Sequence, residues 1–246
     1  MRFENYLEKE VDLSYPIKMD GEEYSTITVR ESGGRDEEAL GREDEYKKDD
    51  VLALVYTITR CIAEVPGAKR LPTMDEVGIL PYDVIEKLGV EIRRLTLGDE
   101  FKALGVCPHC SKHVEYDIVT DDFLVNTDIK HTDKIIPMRR GIVRNNKSLK
   151  NCKLRPFNAF AMVELRKLSE EEFSNTSRNS NLLLTLIESF DELEPSIDDI
   201  KDLTKGDRKL VFEAMDIPKV IKPVLPFACS HCDKEIDLRV WVFDFL

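Results

Sequence analysis

Across its 246 residues the chain has no apolar run of the eighteen or so residues that a membrane helix needs. Its first residues, MRFENYLEKEVDLSYPI, are acidic and lack the apolar core of a secretory signal. Together these absences lead us to expect a protein that works or assembles in a cytoplasm, where cysteines stay reduced. A basic excess is missing too. Lys and Arg total 36 against 48 Asp and Glu, a formal net charge of −12. Binding to phosphates needs Lys and Arg, so this balance argues against nucleic acid as a partner. There is no nucleophile elbow, phosphate loop or dinucleotide fingerprint. GGRDEEALG has glycines but no Lys-Ser/Thr step. Carboxylates are plentiful, yet nothing singles out a catalytic pair. The expectation is a protein without enzymatic activity.

With 42% hydrophobic and 34% charged residues, the composition is that of a folded globular chain. VDLSYPIKMDGEEYSTITVRE reads as two strands around the turn dipeptide Asp20-Gly21. Ile27 and Val29 alternate with Thr26, Thr28 and Arg30. The charged stretch after Gly33 reads as a loop or a solvated helix. Val51, Val55, Ile58 and Ile62 form one helical stripe, with Asp49 and Asp50 at its N-terminal end. Cys61 beside this stripe is expected to be a core thiol. Pro81 and Gly89 bracket a short helix, and Thr96, Asp99 and Gly105 suggest a second.

HVEYDIV alternates as a strand does, and DFLVNTDIKHTDKIIPM (122–138) could add another. The stretch 139–155 then carries Arg139, Arg140, Arg144, Lys147, Lys150, Lys153 and Arg155 without one acid. It is read as a basic loop, with Cys152 as a spare thiol. Helices are expected in NAFAMVELRKLSEEEF, NSNLLLTLIESFDEL and SIDDIKDLTKGDRKLVFEAM, the last capped by Ser196 and Asp199. The tail KEIDLRVWVFDFL alternates with both faces largely apolar near its end, as in a strand that is covered on two sides.

Two stretches, VCPHCSKHVEYDI and ACSHCDKEIDLRV, repeat one device: two cysteines two residues apart, then a strand. Zinc takes four soft ligands in a tetrahedron, and each such turn supplies two. Cys107, Cys110, Cys229 and Cys232 are therefore the expected ligands of one structural Zn2+. The long gap does not oppose this. Loop closure costs about 0.6 kcal/mol per doubling, so about 2 kcal/mol here, against roughly 10–16 kcal/mol from a structural zinc. A redox pair would need only one CxxC, preferably opening a helix, whereas both of these precede strands. His109 and His231 sit inside the knuckles and are expected to be exposed loop residues.

The same residues in their order carry a resemblance. The start contains YPI, ITVRE and GRDEEAL. LGVCPHCSKHVEYDIV, IKHTDKI and RGIVRNNKSLKNCKLRPF follow, and PFACSHCDKEIDLRVWVFDFL closes the series. This pattern resembles the baseplate-hub proteins of T-even-like contractile-tailed bacteriophages. The start is also similar to small tail-assembly chaperones of long-tailed phages. The resemblance implies a structural or assembly protein of a contractile tail, acting at the baseplate hub or in readying hub and tape-measure proteins. Its partners would be other hub, tail or tape-measure proteins, or another copy of the chain. It would be found in the virion baseplate and, during assembly, in the host cytoplasm. It also implies a structural role for His131 and Thr132. A zinc-ribbon nucleic-acid or transcription module is the alternative. The acids around the first knuckle, Glu115, Asp117, Asp121, Asp122, Asp128 and Asp133, argue against it.

The expected fold is α+β. It comprises an N-terminal β-hairpin unit (1–45), a helical segment (46–104), and a first half of a zinc ribbon (105–138). A basic loop and helical insertion (139–224) and the second ribbon half (225–246) complete it.

Overall fold

Asp20 and Gly21 take positive φ angles of 52° and 84°, the pair of left-handed residues that a tight hairpin turn requires. They join β1 (Glu8–Met19) to β2 (Glu22–Arg30) in the computed structural model. The structure describes residues 6–44, 46–120, 130–168, 179–215 and 224–239. β3 (Ile62–Glu64) adds to β2 on its free side. The alternation read from the sequence turns Ile27 and Val29 inward, where both are fully buried.

This sheet supplies one side of the first core. It packs on α2 (Asp50–Cys61) and α4 (Tyr82–Leu97), with α1 (Gly34–Arg42) and α3 (Met74–Gly78) beside them. Asp49 caps α2 by accepting from the amides of Val51 and Leu52. The stripe Val51, Val55, Ile58 enters the core, and Cys61 is buried beside it as expected. Burial pushes the Cys61 thiol up to about 11.

Two helix expectations need correction. Gly89 does not stop a helix: it is buried within α4, which runs on to Leu97. The supposed helix from Thr96 to Gly105 is instead β4 (Glu100–Val106), paired along its whole length with β5 (His113–Val119). Pairing across strands outweighs the local capping signal of Thr96 and Asp99. Asp99 serves the strand entry, accepting from Thr120 and Arg94, each at 2.7 Å.

The charged stretch after Gly33 is α1, and it is not merely a solvated face. Asp36 is 4% exposed and Arg30 2% exposed. Arg30 Nη1 and Nη2 donate to Asp36 Oδ2 and Oδ1 at 2.8 and 3.0 Å. Arg60 Nε donates to Oδ1 at 3.1 Å. The pair thus ties ITVRE to GRDEEAL and both to α2.

α4 also carries a carboxyl into the first core. Burial, then the Asp83 carboxylate, pushes Glu86 up to about 8, against the pull of Arg166 and Tyr82. In the unfolded chain a Glu releases its proton near about 4.3. Between those values the folded state holds the extra proton, so stability falls as pH rises. Glu86→Gln is expected to stabilise the protein by several kcal/mol at about pH 8, and by only about 1 kcal/mol at about pH 5. Urea unfolding at the two pH values checks this; an equal effect at both would refute it.

The basic stretch is a β-hairpin, not a loop. β6 (Lys134–Arg144) and β7 (Lys147–Leu154) meet at Asn145 and Asn146, with φ of 51° and 61°. β8 (Ile187–Phe190) joins β7 and converts the end of the expected Asn179–Leu193 helix into a strand. Cys152 is accordingly no spare thiol. It is fully buried in a second core with Ile142, Leu154, Leu183 and Phe190, and burial pushes it up to about 12. α5 (Ala159–Arg166) packs into the first core, α6 (Ser180–Leu186) lies between the two with Leu182 and Leu186 in the first and Leu183 in the second, and α7 (Ile197–Asp202), capped by Ser196 and Asp199 as expected, joins the second. α8 (Lys205–Ala214) follows.

Near the start of α8, buried Asp207 accepts from the amides of Arg139, Arg140 and Gly141, where the β6 register shifts. Gly141 has φ 66°, and an added Cβ would lie 1.9 Å from the Leu149 carbonyl oxygen. Only glycine fits there.

Candidate metal centre

The two cysteine turns form a third, separate cluster. β4 and β5 flank the first turn, β9 (Val224–Ala228) and β10 (Glu235–Arg239) the second. The hairpins have corresponding registers: Val106 faces His113 in one, and Ala228 faces Glu235 in the other. The knuckles match bond for bond. Cys107 N donates to Lys112 O and Cys229 N to Lys234 O, both at 2.9 Å. The His109 and His231 amides each approach the sulfur two residues earlier at 3.4 Å. Ser111 and Asp233 both sit at φ 57°.

The four sulfurs converge. Cys107 Sγ lies 3.8 Å from Cys232 Sγ, and Cys110 Sγ lies 3.7 Å from Cys229 Sγ. All four lie within 4.8 Å of one another. Ligands about 2.3 Å from a tetrahedral zinc stand roughly 3.8 Å apart. Disulfide sulfurs sit at about 2.05 Å, and all six cysteines are free. The donor set and its spacing therefore suit one tetrahedral, thiolate-preferring metal ion.

Electrostatics point the same way. Burial opposes ionisation of Cys107, but the amides of His109 and Cys110 favour its thiolate and hold it at about 6. Cys232 is pushed up to about 12: the Lys234 amide favours its thiolate, yet burial and the other sulfurs resist a second charge. A bound dication removes that resistance.

His109 and His231 are exposed turn residues, as expected, and each also reaches across the site. His109 Nε2 lies 3.3 Å from the Glu235 carbonyl, and His231 Nε2 lies 3.3 Å from the His113 carbonyl. Each knuckle thus reaches across to the strand that follows the other. The Tyr116 and Phe227 rings stack behind the sulfurs with centroids 4.4 Å apart. The matching Pro-His and Ser-His steps were the visible signal of this symmetry.

The other singled-out residues lie elsewhere. His131 Nε2 is 2.8 Å from Asp83 Oδ2. Next to it, Asp133 accepts from Tyr15 at 2.5 Å and pairs with Lys18 and Lys153, each at 3.0 Å. Thr132 is exposed. The IKHTDKI step thus fastens the two larger cores together. Trp241, Phe243 and the rest of the terminal alternation lie outside the described residues.

A family model described as T4 bacteriophage base plate protein matches residues 13–240 of this chain. The chain belongs to that family. This is a family of phage baseplate proteins, structural in character, and membership sets the chain in a virion tail in association with other baseplate proteins. No curated protein and no solved structure matches the chain.

Proposed function

We propose that the chain is a non-enzymatic component of a contractile phage tail, acting at the baseplate hub or in assembling hub and tape-measure proteins. The observation that carries this reading is the family match across 13–240. Cys107, Cys110, Cys229 and Cys232 hold one Zn2+ in it, supported by the convergence of their sulfurs. The metal's task is structural, since four thiolates leave no open position for a substrate or water.

The two cysteine hairpins act as one ribbon unit, and the intervening strands and helices form an insertion between its halves. The separate cluster of Val114, Tyr116, Ile118 and Ile236 supports that division.

Mass spectrometry of purified particles and of tail-assembly intermediates tests the reading. A fixed small copy number in particles identifies a hub component. Presence only in intermediates identifies an assembly factor. Absence from both overturns the proposal.

A further inference from the structure

Many of the charges in this acidic chain are spent internally. Asp36 pairs with Arg30, Asp199 with Arg144, and Glu188 with Lys153. The acidic stretches around those residues still expose Glu37, Glu192, Glu194 and Asp198, but among the described residues they set only one exposed large apolar side chain, Leu193, beside them. Two surfaces are different, and they sit on separate hairpins.

The first is the β6–β7 hairpin. Cross-strand pairing sets Ile136 and Ile142 against the second core, and turns Ile135 and Val143 away from it. Ile135 is 69% and Val143 71% exposed. Around them Arg139, Arg140, Lys147 and Lys150 are exposed, and among the described residues no ion pair engages their side chains. The hairpin thus presents an apolar centre with a cationic surround.

The second is the outward face of β4–β5. Val114, Tyr116 and Ile118 face inward, so Leu104, Val106 and Val119 face outward, Leu104 being 77% exposed. Glu100 and Asp117 share that face, and among the described residues neither forms an ion pair. Lys102 is held by Glu115. This surface is apolar with an anionic surround. α1 exposes Glu37 and Glu38 as well, but no large apolar side chain beside them.

The two faces match in sign and in apolar content, and they are different surfaces of one chain. We propose that copies of this protein associate head to tail, the β6–β7 hairpin of one copy seated on the outward β4–β5 face of the next. A contact between unlike faces builds a ring if its rotation closes and a filament if it does not. The charges would set orientation and encounter rate, and the exposed Leu, Ile and Val residues would hold the contact.

Sedimentation velocity of the full chain over a concentration series tests this. The wild-type protein is expected to form oligomers that weaken as salt is raised. Arg139→Glu with Arg140→Glu should weaken association roughly tenfold or more, and Glu100→Lys with Asp117→Lys should do the same. Each variant keeps one intact face, and the two reversed faces are again opposite in sign, so an equimolar mixture should restore the association that either variant alone has lost. Leu104→Glu, on the outward side of β4, is a second variant of the ribbon face and should behave alike. Metal content and circular dichroism confirm that each variant is folded. The proposal is overturned by a wild-type chain that stays monomeric at every concentration. It is equally overturned by oligomers that survive both charge reversals, or by a mixture that restores no association.

Discussion

Replacing Cys229 with Ser is expected to remove zinc from the purified protein, from about one equivalent to none, and to open the ribbon. Cys107→Ser should do the same, because each knuckle supplies two of the four ligands. A structural zinc contributes roughly 10–16 kcal/mol of binding free energy, far more than the His109, His231 and Tyr116–Phe227 contacts could replace. The loss should be local at first. The ribbon has its own small core, so the two larger cores can persist while the strands around the cysteines become sensitive to protease. Cys61→Ser is the matched control: its thiol is buried in the first core, and the substitution should leave the metal in place. Elemental analysis and limited proteolysis check all three variants. Full zinc retention in both ribbon mutants would sink the assignment.

The second large effect concerns Asp36. Asp36→Ala is expected to destabilise the protein by about 3–5 kcal/mol, since it strands the Arg30 guanidinium in a site with almost no access to water. Arg30 keeps its bonds to the carbonyls of Glu31 and Arg60, so its charge cannot easily leave. Replacing both partners by apolar groups, Arg30→Met with Asp36→Leu, should cost less than the single change. Urea unfolding of the three proteins decides it, and a single mutant within about 1 kcal/mol of wild type would contradict the argument.

The pair also sets an acid limit. Burial works to raise the Asp36 carboxyl, but the Arg30 hydrogen bonds and the Gly33 amide hold it below the usual range. Its contribution is therefore complete above the unfolded carboxylate value, about 3.9, and is lost as pH falls through the lower folded value.

The parts of this molecule legible in the sequence are those fixed by short-range chemistry. Asp20-Gly21 encodes its own turn, Asp49 and Ser196 their own helix starts, and each CxxC its own knuckle. Even the joining of Cys107 to Cys229 was readable, because four thiols of one kind ask for one metal. What the sequence hid depends on distant partners. The residues from Glu100 to Val106 are a strand only because His113–Val119 lies beside them. Gly89 does not end its helix, because burial on both sides sustains it. Asp36 stands among Arg35, Glu37 and Glu38, and nothing local marks it as the one that turns inward to Arg30. The hairpin at Asn145-Asn146 did carry a local signal, two residues that tolerate left-handed backbone, but the surrounding positive charge suggested solvent instead.

The separation of the two knuckles along the chain also fixes an order of events during synthesis. Cys107 and its eventual neighbour Cys232 are 125 residues apart. At about 5–20 residues per second, a ribosome needs roughly 6–25 seconds to make that interval. Through that time the first knuckle has only two of the four sulfurs of the cluster, while Ile27, Val29, Ile58 and Leu88, on elements made before it, are already available to form the first core. Four sulfurs come within reach of one ion only when residues beyond 229 have emerged. Ribbon closure is thus a late event in the life of each new copy, following synthesis of the two larger cores, and the outward β4–β5 face gains its full support only then.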